Sequence, residues 1–125
     1  MDELDEFLSR YEQATNSHEF DRVAPLLADA AVYWFSNGTY VGIEAIRRAF
    51  ETTWATILDE DYRITDVRWL AATDETAACV YTYSWSGVIG GQRRSGGGRG
   101  TNVLRRVATG WRIVHEHLSQ SQQQP

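Results

Sequence analysis

Leu4, Phe7, Leu8, Tyr11 and Thr15 recur at the spacing of one helical stripe, and Asp2, Glu3, Asp5 and Glu6 crowd the first turns, where the helix dipole favours acids. The pattern predicts a first helix ending near Asn16. Asn16-Ser17-His18 breaks it, after which Phe20, Val23 and Leu27 mark a shorter second helix ending before Asp29, with Pro25 forcing a kink or tight turn. Ala31 to Phe35 is rich in strand formers. Ser36-Asn37-Gly38-Thr39 then reads as a hairpin turn, because Asn-Gly tolerates positive φ at both central positions. Gly42 opens the strongest helical pattern, with Ile46, Phe50, Thr53, Trp54 and Ile57 on one face and an end near Asp59.

From Tyr62 the period changes to two. Strands are predicted over Tyr62 to Ala72 and Thr76 to Ser86, joined by Thr73-Asp74-Glu75, then over two strands of Thr101 to Ser119 that turn near Thr109-Gly110. Strict alternation on the last strand groups Trp111, Ile113, His115, His117 and Ser119 on one face and Arg112, Val114, Glu116 and Leu118 on the other. Both faces carry apolar residues, so helices are expected over one and a partner over the other. Between the strands, GVIGGQRRSGGGRG holds seven glycines in fourteen residues and is expected to be a mobile hairpin loop. The tail SQSQQQP lacks an apolar anchor. The organisation predicted is one α+β domain over residues 1–119, helices packed on a meander, and a disordered polar tail over 120–125.

Composition narrows the function classes. At 125 residues the chain is one domain, and 42% hydrophobic content with five Trp, six Tyr and four Phe argues for a packed core. No apolar run reaches the roughly 20 residues of a membrane span. MDELDEF is not a signal peptide, so a soluble, cytoplasmic protein is expected. A net charge of -5 argues against a nucleic-acid partner. All twelve basic residues are arginine, which removes lysine Schiff-base chemistry. The lone Cys79 lies in an apolar strand, AACVY, and reads as inert core.

The ending Gly110-Trp111-Arg112-Ile113-Val114-His115-Glu116-His117-Leu118-Ser119 follows a strand with Thr101, Val103, Arg105 and Arg106. Together with Leu27-Ala28-Asp29-Ala30-Ala31-Val32 and Gly42-Ile43-Glu44-Ala45-Ile46, it resembles the SnoaL-like group of the nuclear transport factor two-like superfamily. The resemblance covers about Leu4 to Ser119. It implies three N-terminal helices wrapped by a strongly curved, mostly antiparallel sheet, a ligand pocket in the cone, and frequent dimers through the outer sheet face. It does not imply one activity. Arg10-Tyr11-Glu12-Gln13-Ala14-Thr15-Asn16 is also similar to the first-helix pattern of ketosteroid isomerase, which would make Tyr11 a phenolic donor. The likeness then departs: Phe35 stands where that enzyme has its general base, and Asn102 where it has a protonated aspartate.

On that frame Glu116, Tyr11 and Asn102 are the catalytic candidates, Glu116 moving a proton while Tyr11 and Asn102 hold a ligand oxygen. The competing reading pairs Glu116 with Arg112 or Arg106. Phe35, Phe50, Trp54, Thr82, Ser84, Leu104, Val114 and Leu118 are expected to wall the cone around a small hydrophobic molecule. Tyr81, Tyr83, Trp85, Trp111, His115 and His117 are expected on the outer face of a homodimer. The spacing of His115 and His117 also suits a metal, but no third ligand is evident, so neither metal nor cofactor is expected. Arg93, Arg94 and Arg99 place a basic flap over the cone mouth if the glycine-rich loop moves.

Overall fold

A computed structural model describes residues 2–121 of the chain. Helix α1 spans Glu3–Asn16, capped by Asp2, whose carboxylate accepts the Asp5 amide at 2.9 Å. Its buried stripe is Leu4, Phe7, Leu8, Tyr11 and Thr15, as the spacing predicts. The second helix is reduced to one turn, α2 (Phe20–Val23), and a 3₁₀ turn over Ala24–Leu26 absorbs Pro25. Leu27 therefore belongs to strand β1 (Leu27–Phe35), which begins earlier than the strand-former run suggests.

Strand β2 (Gly38–Val41) pairs back on β1, Phe35 opposite Gly38. The central residues of the turn are thus Ser36 and Asn37, not Asn37 and Gly38, and neither has positive φ. Helix α3 (Ile43–Thr56) buries Ile46 and Phe50 and stops short of Asp59, because β3 already starts at Leu58.

Four strands complete the sheet: β3 (Leu58–Ala72), β4 (Thr76–Ile89), β5 (Gln92–Val107) and β6 (Gly110–Gln120). The order is β2-β1-β6-β5-β4-β3, antiparallel except for the parallel β1–β6 pair. Bulges bend it into a cone. In β3 two of the three fall beside Asp59 and Asp66, both at positive φ, the third lies between Trp69 and Ala71, and in β6 the extra residue is Val114.

The glycine-rich segment is not a loop. β4 and β5 run unbroken from Thr76 opposite Arg105 to Ile89 opposite Gln92, turning at Gly90-Gly91. The absent side chains leave room for neighbours: Tyr81 lies opposite Gly100, and a Cβ there would sit 2.4 Å from the Tyr81 ring. Tyr83 faces Gly98 and Trp85 faces Gly96 in the same way. The aromatic rings supply the packing that glycine lacks. Arg93, Arg94 and Arg99 are strand residues, not members of a flap.

Polar contacts fasten α1 across the sheet. Trp69 of β3 donates its indole N–H to Asp5 at 2.9 Å, and Trp111 of β6 donates to Glu3 at 2.9 Å. Asn16 brackets Tyr62, accepting its amide at 2.7 Å and donating to its carbonyl at 2.8 Å, while Glu12 accepts the Ile64 amide. These bonds satisfy backbone groups that edge strand β3 would otherwise leave open. At the other end, Ser121 donates to the Gly97 carbonyl at 2.9 Å, so Gln120 and Ser121 of the expected tail are held by the sheet; residues 122–125 lie outside the described residues.

Trp111 is 5% exposed, with the Arg106 guanidinium over its ring at 4.8 Å and also bonded to Glu3. Its expected place on the outer face is incorrect. Trp111→Phe, which drops the N–H to Glu3 and leaves part of the indole's volume unfilled, is expected to lower stability by about 2 kcal/mol in urea unfolding. An outward-facing Trp111 would show no change.

Candidate functional site

The phase of two strands decides what lines the cone. Residues directly opposite in an antiparallel pair share a face. Asn102 stands opposite both Glu116 of β6 and Cys79 of β4, so all three point inward. Tyr81 and Tyr83 follow Cys79 inward and are 3% and 7% exposed, while Thr82 and Ser84 face outward and are exposed. The expected assignment of β4 is therefore inverted. On β6 the bulge at Val114 flips the phase midway: Trp111 and Ile113 are core, then Glu116 and Leu118 point into the cone.

A half-open cavity of about 270 Å³ results, with Glu116 in its lining. Of the expected wall residues, Phe35, Phe50, Trp54 and Leu118 line it. Leu104 is fully buried core, Val114 is the bulge residue, and neither lines the cavity, nor do Thr82 and Ser84. Tyr62, Tyr83, Trp85 and Glu60 complete the aromatic and acidic wall. Of the expected dimer face, Tyr81, Tyr83 and Trp111 are buried inside, and Trp85 lines the cavity. Only His115 and His117 remain outward, edge-on to the half-exposed Trp34 at 4.9 and 5.6 Å. A larger depression, about 740 Å³, lies on that outer face beside Thr82, Arg99, Thr101 and His117, away from the buried acid.

Glu116 is 2% exposed and meets neither Arg112 nor Arg106. Arg112 bonds Thr109 and the Trp111 carbonyl, and Arg106 bonds Glu3. Neutral donors hold the carboxylate instead. Tyr11 donates to Oε1 at 2.8 Å, and because that proton is committed, Tyr33 donates to the Tyr11 oxygen at 2.8 Å. Tyr81 reaches Oε1 at 3.4 Å. The Asn102 amide satisfies its surroundings when Nδ2 donates to the Thr101 carbonyl at 2.9 Å, to Tyr81 Oη at 2.8 Å and to Glu116 Oε1 at 3.3 Å. Every hydrogen bond to Glu116 among the described residues falls on Oε1, which leaves Oε2 for the cavity.

Burial without a cation pushes the Glu116 carboxyl up to about 7, against the opposing pull of Tyr11, Asn102 and Tyr81, whose hydrogen bonds favour the charged form. The same burial, reinforced by the charge on Glu116, raises the Tyr11 and Tyr81 phenols well above their usual range, so they stay protonated donors. Glu60 is a second raised acid, also at about 7 through burial. Desolvation pushes the Cys79 thiol up to about 12, consistent with an inert core cysteine. Tyr62 Oη is buried with no hydrogen-bond partner, the Tyr81 hydroxyl lying near it without meeting bonding geometry. Among the described residues no three His, Cys, Asp or Glu side chains converge as metal ligands, and His115 Nδ1 lies 2.7 Å from the Val32 carbonyl oxygen. No described helix is long and apolar enough to cross a membrane.

Tyr11, Asn102 and Glu116 thus come together as the spacing and resemblance suggest, but Tyr11 and Asn102 point at Glu116 and do not line the cavity. Sequence reasoning missed Tyr33, Tyr62, Tyr81 and Glu60. Two were within reach of alternation: Tyr33 stands two residues before Phe35, and Tyr81 two after the core residue Cys79. Glu60 carried no such signal, because the sequence pattern leaves it in an acidic run between the expected helix and strand, whereas it lies within β3.

Residues 4–122 match the family described as the SnoaL-like domain. Among solved structures, a nuclear transport factor 2-like superfamily protein from Salmonella enterica subsp. enterica serovar Typhimurium str. LT2 superposes with a TM-score of 0.88 at 21% identity, over 98% of this chain and 92% of that one. LinA superposes with a TM-score of 0.84 at 18% identity, over 95% and 84% of the two chains. A ketosteroid isomerase-like protein from Erwinia carotovora atroseptica SCRI1043 gives 0.80 at 18% identity, over 95% and 94%. No match is found among curated protein sequences. Identities this low speak to the fold alone. By its match over residues 4–122 and its helix-filled, curved sheet, the protein belongs to the SnoaL-like domain family, on the nuclear transport factor 2-like, cystatin-like fold.

Proposed function

We propose that the cavity binds a small hydrophobic carbonyl compound and that Glu116 transfers a proton to or from it without a cofactor. The carrying observation is a carboxyl buried away from any cation, balanced near neutrality, with one oxygen fixed by three donors and the other turned to the cavity. Ionised Oε2 takes a proton from the carbon beside the carbonyl, and the C–H electron pair moves to the carbonyl oxygen. The unpartnered Tyr62 hydroxyl is the donor suited to that oxygen. Return of the proton from Glu116 at another carbon gives an isomerisation; its delivery to a β-hydroxyl, which leaves as water while the enolate electrons form the C=C bond, gives a dehydration. Tyr11 and Asn102 act through Glu116 as positioning residues. The volume of about 270 Å³ falls just below the roughly 300–1,000 Å³ typical of ligand pockets, which favours one- or two-ring compounds over large polyketides.

The test is deuterium incorporation. Small cyclic ketones are incubated with the protein in D₂O and followed by NMR, and exchange beside the carbonyl above the buffer rate is expected. Binding without exchange would replace this reading with a non-catalytic binding module, the alternative favoured by Phe35, which brings no base to the wall. Tyr11→Phe removes a bond that favours ionised Glu116, so the pH at which exchange switches on is expected to move upward. An unmoved pH profile would separate Tyr11 from Glu116. Homodimerisation through the sheet would now rest on Trp34, His115 and His117. A sedimentation profile that stays monomeric at high concentration would remove it.

A further inference from the structure

The cavity holds two acids and no base. Its lining contains Glu60 and Glu116 but no arginine or histidine, and the chain has no lysine. Glu116 has one oxygen, Oε1, committed to the hydroxyl and amide network. Glu60 is different. It is 9% exposed, and among the described residues its carboxylate makes no hydrogen bond or ion pair; only its backbone carbonyl is engaged, by His18 Nε2 at 2.9 Å. Two places along β3, on the same wall, Tyr62 is 8% exposed, and its hydroxyl is buried and without a partner. A carboxylate at the cavity wall that no protein group pairs, beside a buried hydroxyl without a partner, offers a ligand both an acceptor and a donor.

The surroundings define the ligand's charge. Trp54, Tyr62, Tyr83 and Trp85 line the same space, with Tyr62 and Tyr83 stacked at 6.0 Å. Aromatic faces attract cations, and a carboxylate among them adds a direct counter-charge. Two acids in a low-dielectric space repel an anion strongly. We propose that the ligand carries a protonated amine, seated on the Glu60 carboxylate between the aromatic walls. The proposal rests on the reading of this cavity as a ligand site, but not on proton transfer within it.

The experiment compares three probes of one shape by calorimetric titration at about pH 8, where both acids are ionised. Benzylamine is expected to bind at least tenfold more tightly than benzyl alcohol, and benzoate not at all. Glu60→Gln is expected to bring benzylamine down to the level of benzyl alcohol. Benzyl alcohol or benzoate binding as well as benzylamine would overturn the proposal, as would a Glu60→Gln protein that keeps the amine preference. If that variant does not fold, the three probes on the unaltered protein decide alone. Amine preference without ketone exchange would sink the proton-transfer reading and leave this one standing. Exchange without amine preference would do the reverse.

Discussion

Glu116→Gln is expected to slow ketone exchange by about 10²- to 10⁴-fold, the usual weight of a positioned acid-base group. The amide keeps the shape and still accepts from Tyr11 through its oxygen, so the fold should survive. The same variant carries a second, independent signature in stability. The folded carboxyl titrates at about 7 against an ordinary 4.5, so between those pH values the folded protein holds a proton that the unfolded chain has released. Stability is therefore highest below about pH 4.5, falls as pH rises to about 7, and is flat with respect to this group above that. Burial sets the scale at about 3 kcal/mol across the window. Glu60 adds to the fall in the same direction. Glutamine does not titrate, so the stability of the variant relative to the unaltered protein should improve by that order between pH 4.5 and 8 in paired urea unfolding. Parallel pH curves for the two proteins would mean that Glu116 is neither buried nor raised in the way described. Rapid exchange by the variant would dismiss it as the base.

The second large effect concerns the fold. Gly98→Ala is expected to lower stability by about 3 kcal/mol or more, or to prevent soluble expression. A Cβ at Gly98 would lie 1.9 Å from the Ser119 carbonyl oxygen and 3.0 Å from the Gln120 Cα, both backbone atoms of β6. No rotamer change relieves that contact, so β5 and β6 would have to part near their shared end. Gly100→Ala tests a softer version, since the obstacle is the Tyr81 ring. Moving that ring disturbs the hydroxyl beside Glu116 and Asn102, so its effect should appear in the exchange rate as well as in the urea midpoint. A Gly98→Ala protein as stable as its parent would argue for the flexible loop that composition alone suggests.

That glycine segment shows where local reasoning misleads. Seven glycines in fourteen residues read as loop when each position is weighed by its own propensity. In the sheet three of them, Gly96, Gly98 and Gly100, stand opposite large aromatic side chains on β4, and Gly90-Gly91 make the turn. The compensation is across strands, so no window along the chain contains it. The β4 half of the dimer-face expectation fails because reading a strand at fixed period requires a phase, which its neighbours across the sheet supply; on β6 the bulge at Val114 turns Trp111 inward while His115 and His117 stay outward. Treating Cys79 as core already placed Tyr81 and Tyr83 inside with it.

What the sequence determined by itself is the set of elements and the outline of the fold: the acid-capped stripe of α1, the Gly42-started α3, the meander, and a closing strand whose residues mark the family. These depend on local periodicity and on contacts a few residues apart, which the order of side chains expresses directly. The Tyr33, Tyr11 and Glu116 chain, the cavity with its two cation-free acids, and the inward turn of the β4 aromatics were decided only in three dimensions. A single extra residue at Val114 reverses which side chains of β6 face the helices, and a bulge is stabilised by neighbouring strands and by α1, not by its own residue type.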